Sequence, residues 1–150
     1  MPTDSGRPVS QQGLRDLQEM WRALLACDWG SLGVVPTDHG ISVQEVVDAL
    51  HAAAGASDPP VRRIDARGVD IAEARRLALD LAAAVSEKSR AVVVVDSLVR
   101  SLSGVHLIQE VDAILLVFRV GAMDLDSLRS TVDIVGAERI VGSVTAPVAG

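Results

Sequence analysis

The chain has no tyrosine, one phenylalanine, two tryptophans, one cysteine and one lysine in 150 residues. Each shortage excludes something. So few aromatic side chains leave no platform on which successive bases of a single strand could stack. A net charge of -6 argues against broad nucleic-acid binding, because phosphate backbones are held by surplus Lys and Arg. The lone cysteine, Cys27, excludes an internal disulfide framework and fits a reducing cytoplasm, with the thiol as a small buried side chain. No apolar run reaches membrane-spanning length, and the first residues lack the apolar stretch of a signal peptide. His39, His51 and His106 show no H-x-x-x-H spacing and Cys27 has no second cysteine, so no metal site is expected.

What is present is aliphatic. Hydrophobic residues make up 49% of the chain, mostly Ala, Val and Leu, enough for the core of one domain. Residues 1–12, rich in Pro, Ser, Gly and Gln, read as a disordered lead-in to a single domain over 13–150. Gln11 to Cys27 predicts an amphipathic helix, with Leu14, Leu17, Trp21, Leu24 and Leu25 at helical spacing. Leu32 to Val35 predicts a strand and Ser42 to Ala54 a helix, closed by Gly55 and Pro59-Pro60. Val61 to Asp65 predicts a strand, and Asp70 with Glu73 starts the next helix. Ala91 to Val95 and Ala113 to Val120 are unbroken apolar runs, as strands buried on both faces should be. Leu98 to Gln109 reads as a short helical or irregular link. Asp124 to Val135 predicts a helix ended by Gly136, and Arg139 to Val144 a last strand. This alternation is the rhythm of a parallel sheet covered on both sides: a three-layer α/β/α sandwich with five mainly parallel strands.

Between the first strand and the following helix lies Val35-Pro36-Thr37-Asp38-His39-Gly40-Ile41-Ser42. A phosphate loop at this place would read G-x-x-x-x-G-K-[ST]. Gly40 and Ser42 fit that pattern. Ile41 stands at the lysine, Val35 at the first glycine, and Asp38 adds a negative charge. A phosphate loop surrounds its anion with backbone N–H groups, a helix N-terminus and a lysine. Here the layout is present and the charge is not. Lys88 is the only lysine that this chain could offer from elsewhere. The plainer alternative is a turn before a capped helix, since Ser42 with Glu45 fits a capping box.

Further residues carry a resemblance. Val92 to Asp96 is similar to a Walker B strand, ending in an aspartate near magnesium. Glu110 to Val117 is similar to an aspartate-then-apolar-strand segment, and Gly136 to Val144 to a final strand. Ile64-Asp65 stands where a second catalytic aspartate would be. Glu19 and Arg22 match the start of a Glu/Arg spacing on the preceding helix, with Leu25 at the next arginine position. In this order, from about Leu14 to Val144, the chain resembles the ParA/MinD-type P-loop ATPases. Within them it resembles most the bacterial tyrosine kinase branch of polysaccharide synthesis and export. The resemblance implies a P-loop NTPase-like fold with the Leu32 strand between the Val92 and Ile114 strands. It also implies a nucleotide site at the carboxyl ends of the Leu32 and Val92 strands.

The departures shape the functional expectation. The loop lysine is absent, Thr145 replaces the asparagine that contacts the base, and without tyrosine no tyrosine cluster can be autophosphorylated. Losing the lysine removes much of the electrostatic stabilisation of a transferring phosphoryl group. The expected function is therefore a catalytically inactive, ATPase-like adaptor or regulator without a cofactor. Its partner would be a protein, such as a membrane component of polysaccharide export, or a second copy in a homo-oligomer. Neither nucleic acid nor membrane insertion is expected. Leu17, Trp21 and Leu24 on the first helix are the interface candidates, the alternative being that they anchor this helix within the chain; Trp29 is a core or interface anchor. A competing reading is a nucleotide binder, holding ATP or ADP with magnesium through Gly40, Ser42 and Asp96 and completed by a dimer partner. Another is an unrelated α/β ligand- or protein-binding module. Asp96 reads either as a magnesium ligand or as a strand-end carboxylate capping at Ser97. Asp65 reads as a general base or as the ion-pair partner of Arg62, Arg63 or Arg67. Ser97, His106 and Asp112 make a triad only on paper, since there is no G-x-S-x-G elbow.

Overall fold

The structure is a computed structural model that describes residues 11–38, 41, 43–54, 60–99, 102–119 and 124–146. Helices and strands alternate: α1 (Gln11–Leu25), β1 (Ser31–Pro36), α2 (Gln44–Ala54), β2 (Val61–Asp65), α3 (Ile71–Ser86), β3 (Arg90–Val94), α4 (Leu102–Ile108), β4 (Ala113–Phe118), α5 (Leu125–Val135) and β5 (Ile140–Thr145). Helix α1 thus starts within the stretch read as lead-in, and residues 1–10 lie outside the described part. No described helix is long and apolar enough to cross a membrane.

The five strands form one sheet in the order β2-β3-β1-β4-β5, and every pairing is parallel. This is the α/β fold expected from the sequence, and β1 lies between β3 and β4. The central strands are buried along nearly their whole length, which is why most of their residues are Val, Leu, Ile and Ala without polar alternation. Strand β5 is an edge strand. Its burial alternates, and a register irregularity between Ile114 and Leu115 of β4 bends the pairing, a common way of blunting an open edge.

Two helical layers flank the sheet. On one face, α1 and α2 pack Leu17, Trp21, Leu24, Val46, Val47 and Leu50 against Leu32, Val34, Val92, Val94, Leu115 and Val117. On the other face, α3, α4 and α5 pack Ala74, Leu81, Leu107, Ile108 and Val135 against Val35, Val93, Ile114 and Leu116. Gly33 gives side chains of the second layer room against β1. A Cβ there would stand 2.6 Å from Ile108 Cδ1 and 3.2 Å from Ile114 Cδ1, so any larger residue would have to push these side-chain ends aside where α4 packs on β1.

Leu17, Trp21 and Leu24 take the intramolecular alternative and are not an interface surface in this fold. All three are buried, Trp21 completely, and the Trp21 indole N–H donates to the Val46 carbonyl of α2 at 2.7 Å. The cause is the amphipathic spacing itself, whose apolar stripe packs against that of α2. Trp29 is also a core residue, and its N–H donates to the Leu24 carbonyl at 2.7 Å. The start of α3 is as expected: Asp70 caps it by accepting from the Glu73 N–H at 2.8 Å. Gly136, at φ 85°, ends α5.

Candidate functional site

In a parallel sheet each crossover leaves from the carboxyl edge, and ligands collect where neighbouring strands send their crossovers to opposite faces. Here β1 sends its chain to α2 on one face, while its neighbours β3 and β4 send theirs to α4 and α5 on the other. The carboxyl end of β1 is therefore the switch point of the sheet. Residues around Thr37, Asp65, Asp96 and the start of α2 surround it. Gly40, Ser42 and His39 belong to the same connection but lie outside the described residues, as does the capping box proposed for Ser42.

Three observations on the described residues bear on whether this connection could form a phosphate cradle. First, β1 runs on through the positions that the loop pattern assigns to the cradle. Val35 pairs with Leu116 and Pro36 with Val117, and the Thr37 N–H donates to the Val117 carbonyl at 3.0 Å. That amide serves the sheet and cannot also serve an anion. Second, Ile41, at the lysine position, packs against the α1–α2 core. Third, Lys88 lies between α3 and β3, at the amino edge. The five residues of β3 separate the two edges by roughly 17 Å, at about 3.3 Å per strand residue. The only lysine is thus out of reach of its own chain's crevice.

Among the described residues near the ends of β2 and β3, two carboxylates and an arginine are drawn into one network. Arg67 follows β2 and folds back on its end: Nε lies 2.9 Å from Asp65 Oδ1 and Nη2 2.8 Å from Asp65 Oδ2. The same Nη2 donates to Gln44 Oε1 at 2.9 Å, tying β2 to the first turn of α2. The side-chain hydrogen bond from Arg67 is the main cause that holds the Asp65 carboxyl below its ordinary range, against a smaller desolvation that raises it. Arg67 is raised in turn, chiefly by Asp65. Of the three arginines considered for Asp65, Arg67 is the partner. Arg62 pairs with Glu87 and Arg63 with Asp48.

Asp96, at the end of β3, is exposed, and its Oδ2 accepts from the Gly68 N–H at 2.7 Å. It closes the turn after β2 instead of capping its own segment. Next to it, Ser97 is buried with an Oγ that has no partner, and one carboxylate oxygen of Glu45 in α2 is likewise buried without one. Ser97, His106 and Asp112 do not converge. Asp112 sits at the amino edge, where its Oδ2 accepts from Gly30 N–H at 2.9 Å and Ser31 N–H at 3.3 Å while its own N–H donates to Ser31 Oγ at 2.9 Å. It binds β4 to β1 and takes no part in the crevice. Thr145, at the position of the base-contacting asparagine, is exposed at the end of β5. Gln44 and Thr37 were not singled out by the sequence reading. Asp65-Ala66-Arg67-Gly68 carried a usable signal, because an i, i+2 Asp–Arg pair before glycine is a self-closing turn. Compared with known proteins, the chain matches no protein-family model and no curated protein.

Proposed function

We propose that this chain is a catalytically inactive, ATPase-like adaptor or regulator that acts by binding a protein partner. The observation that supports this reading is that three groups described at the crevice are already engaged within the fold. The Thr37 amide is bonded within the sheet, Ile41 packs on the core, and Arg67 is committed to Asp65 and Gln44. What stays exposed is carboxylate, such as Asp96, which repels a nucleoside triphosphate instead of holding it. The proposed setting, the cytoplasmic side of a polysaccharide synthesis or export system or a related cell-surface machine, comes from the resemblance alone. So does the option of a homo-oligomer.

The test is a thermal-shift titration of the full chain with ATP and ADP, with and without magnesium. A nucleotide present at a hundred times its Kd would add about 2.7 kcal/mol, or roughly 5–10 °C in Tm for a domain of this size. We expect no shift at millimolar nucleotide. A clear magnesium-dependent rise would overturn the proposal and favour the competing reading, a nucleotide site completed by a second copy.

A further inference from the structure

The helices of the second layer share an unusual feature. The first residue of each is a large apolar side chain that faces water: Ile71 of α3 is 50% exposed, Leu102 of α4 80% and Leu125 of α5 68%. Val99, just before α4, is 38% exposed. Of the seven large hydrophobic side chains exposed among the described residues, these four lie on one rim, because all three helices start at the carboxyl edge of a parallel sheet. Helical Cβ atoms tilt toward the N-terminus, so these side chains lean out over the edge and away from the core. The three helices lie side by side, with α4 in the middle. Packed helices stand about 8–10 Å apart, so the row spans roughly 20 Å.

Among the described residues, acidic side chains outnumber basic ones around the row. Asp70, Glu73, Asp96, Asp124 and Asp126 are all exposed here. The positive ends of α3 and α5 are already answered by their caps, Asp70 on Glu73 N–H and Asp124 on Asp126 N–H. Among the described residues of the rim the basic side chains are Arg67, held by Asp65, and Arg119; Arg75 and Arg76 begin one turn further along α3. A second copy of this chain would bring the same carboxylates against each other, and an anionic membrane would be repelled too. The complementary occupant is basic and apolar.

Resting on the adaptor reading above, we propose that this rim docks an extended basic segment of a partner protein, with an apolar residue at every third position. The period follows from the spacing. A polyproline-II chain rises about 3.1 Å per residue with three residues per turn, so every third side chain returns to the same side about 9 Å further on, one helix along. Lys or Arg between them would face the rim carboxylates.

The probe is a fluorescent peptide of repeated Leu-Lys-Pro triplets, titrated with the full chain by anisotropy at low and at raised salt. Two peptides serve as controls, one of Leu-Glu-Pro triplets and one with the same composition as the first but its leucines consecutive. The expected result is binding of the first peptide, weakened by salt, and a loss of roughly tenfold or more in the Leu102→Gln/Leu125→Gln double variant. Leu79→Gln, equally exposed but in the middle of α3, should leave affinity unchanged. The proposal is overturned if the peptide does not bind, if either control peptide binds as well, if the double variant binds normally, or if Leu102 instead mediates self-association in sedimentation. The nucleotide titration on the same samples keeps the two readings apart: a nucleotide binder with a working rim loses the first proposal and keeps the second.

Discussion

Putting a side chain on Gly33 would force the side chains packed over it to give way. Gly33→Val would drive its methyl groups into Ile108, Val111 and Ile114, three buried residues that fix α4 on the sheet. We expect a loss of about 1–3 kcal/mol, read as a lower midpoint in urea with unchanged slope. Nothing in the sequence marks Gly33 as special, because its neighbours approach from 75 or more residues away; its strand alone reads as Leu-Gly-Val-Val. Trp21 was easier to read as an anchor, since its place on the apolar stripe of α1 is local. Whether it anchored the chain or a partner was a question about α2, and only the packed structure answers it. In the crevice, Asp65 and Asp96 were legible as strand-end carboxylates. Their partners, the Arg67 guanidinium and the Gly68 amide, depend on how the turn after β2 folds back.

At the scale of elements, starts were more legible than ends. Asp70 and Asp124 cap helices through bonds spanning two or three residues, so their spacing shows in the sequence. The last turns of α1 and α4 are closed from far away. Arg90 of β3 donates to the carbonyls of Leu25 and Cys27 at 2.7 and 2.6 Å and lies over the Trp29 ring. Arg139 donates to the carbonyls of Ile108 at the end of α4, of Val111 just beyond it and of Val135 in α5. Arg139→Met keeps the length of the side chain and removes its donors to these part-buried carbonyls, although that of Ile108 still accepts from the Val111 N–H at 3.4 Å. We expect it to cost about 2–3 kcal/mol and to speed amide exchange at the end of α4 more than in α1. The end of β1 was misjudged for a related reason. Pro36 looks like loop, since proline lacks the N–H that a central strand needs. In the structure the last bond from β3 falls at Val34, so Pro36 meets only β4 and the missing donor costs nothing.

For the molecule as a whole, the strand count and the parallel layout were legible because each buried strand is an unbroken aliphatic run. The strand order was not in the periodicity. It was implied by the resemblance, and the observed order has β1 in the place expected. Acid stability is a property at this scale. Arg67 depresses the Asp65 carboxyl in the folded state, so the pair contributes fully above the unfolded value of about 3.9. That contribution is lost as pH falls through the lower folded value. Asp65→Asn should therefore flatten the loss of Tm below about pH 4 relative to wild type. The pair is half exposed, so the difference should stay under about 1 kcal/mol.

The placement of the two tryptophans has an optical consequence. Trp21 and Trp29 both belong to the layer formed by α1, α2 and the facing side of the sheet, and there is no tyrosine to add a signal. Intrinsic fluorescence therefore watches one side of the sheet and is blind to the other. A label-free emission trace reports the docking of α1, while circular dichroism reports all the helices. If the two traces separate during unfolding, their gap measures how independently the two layers let go.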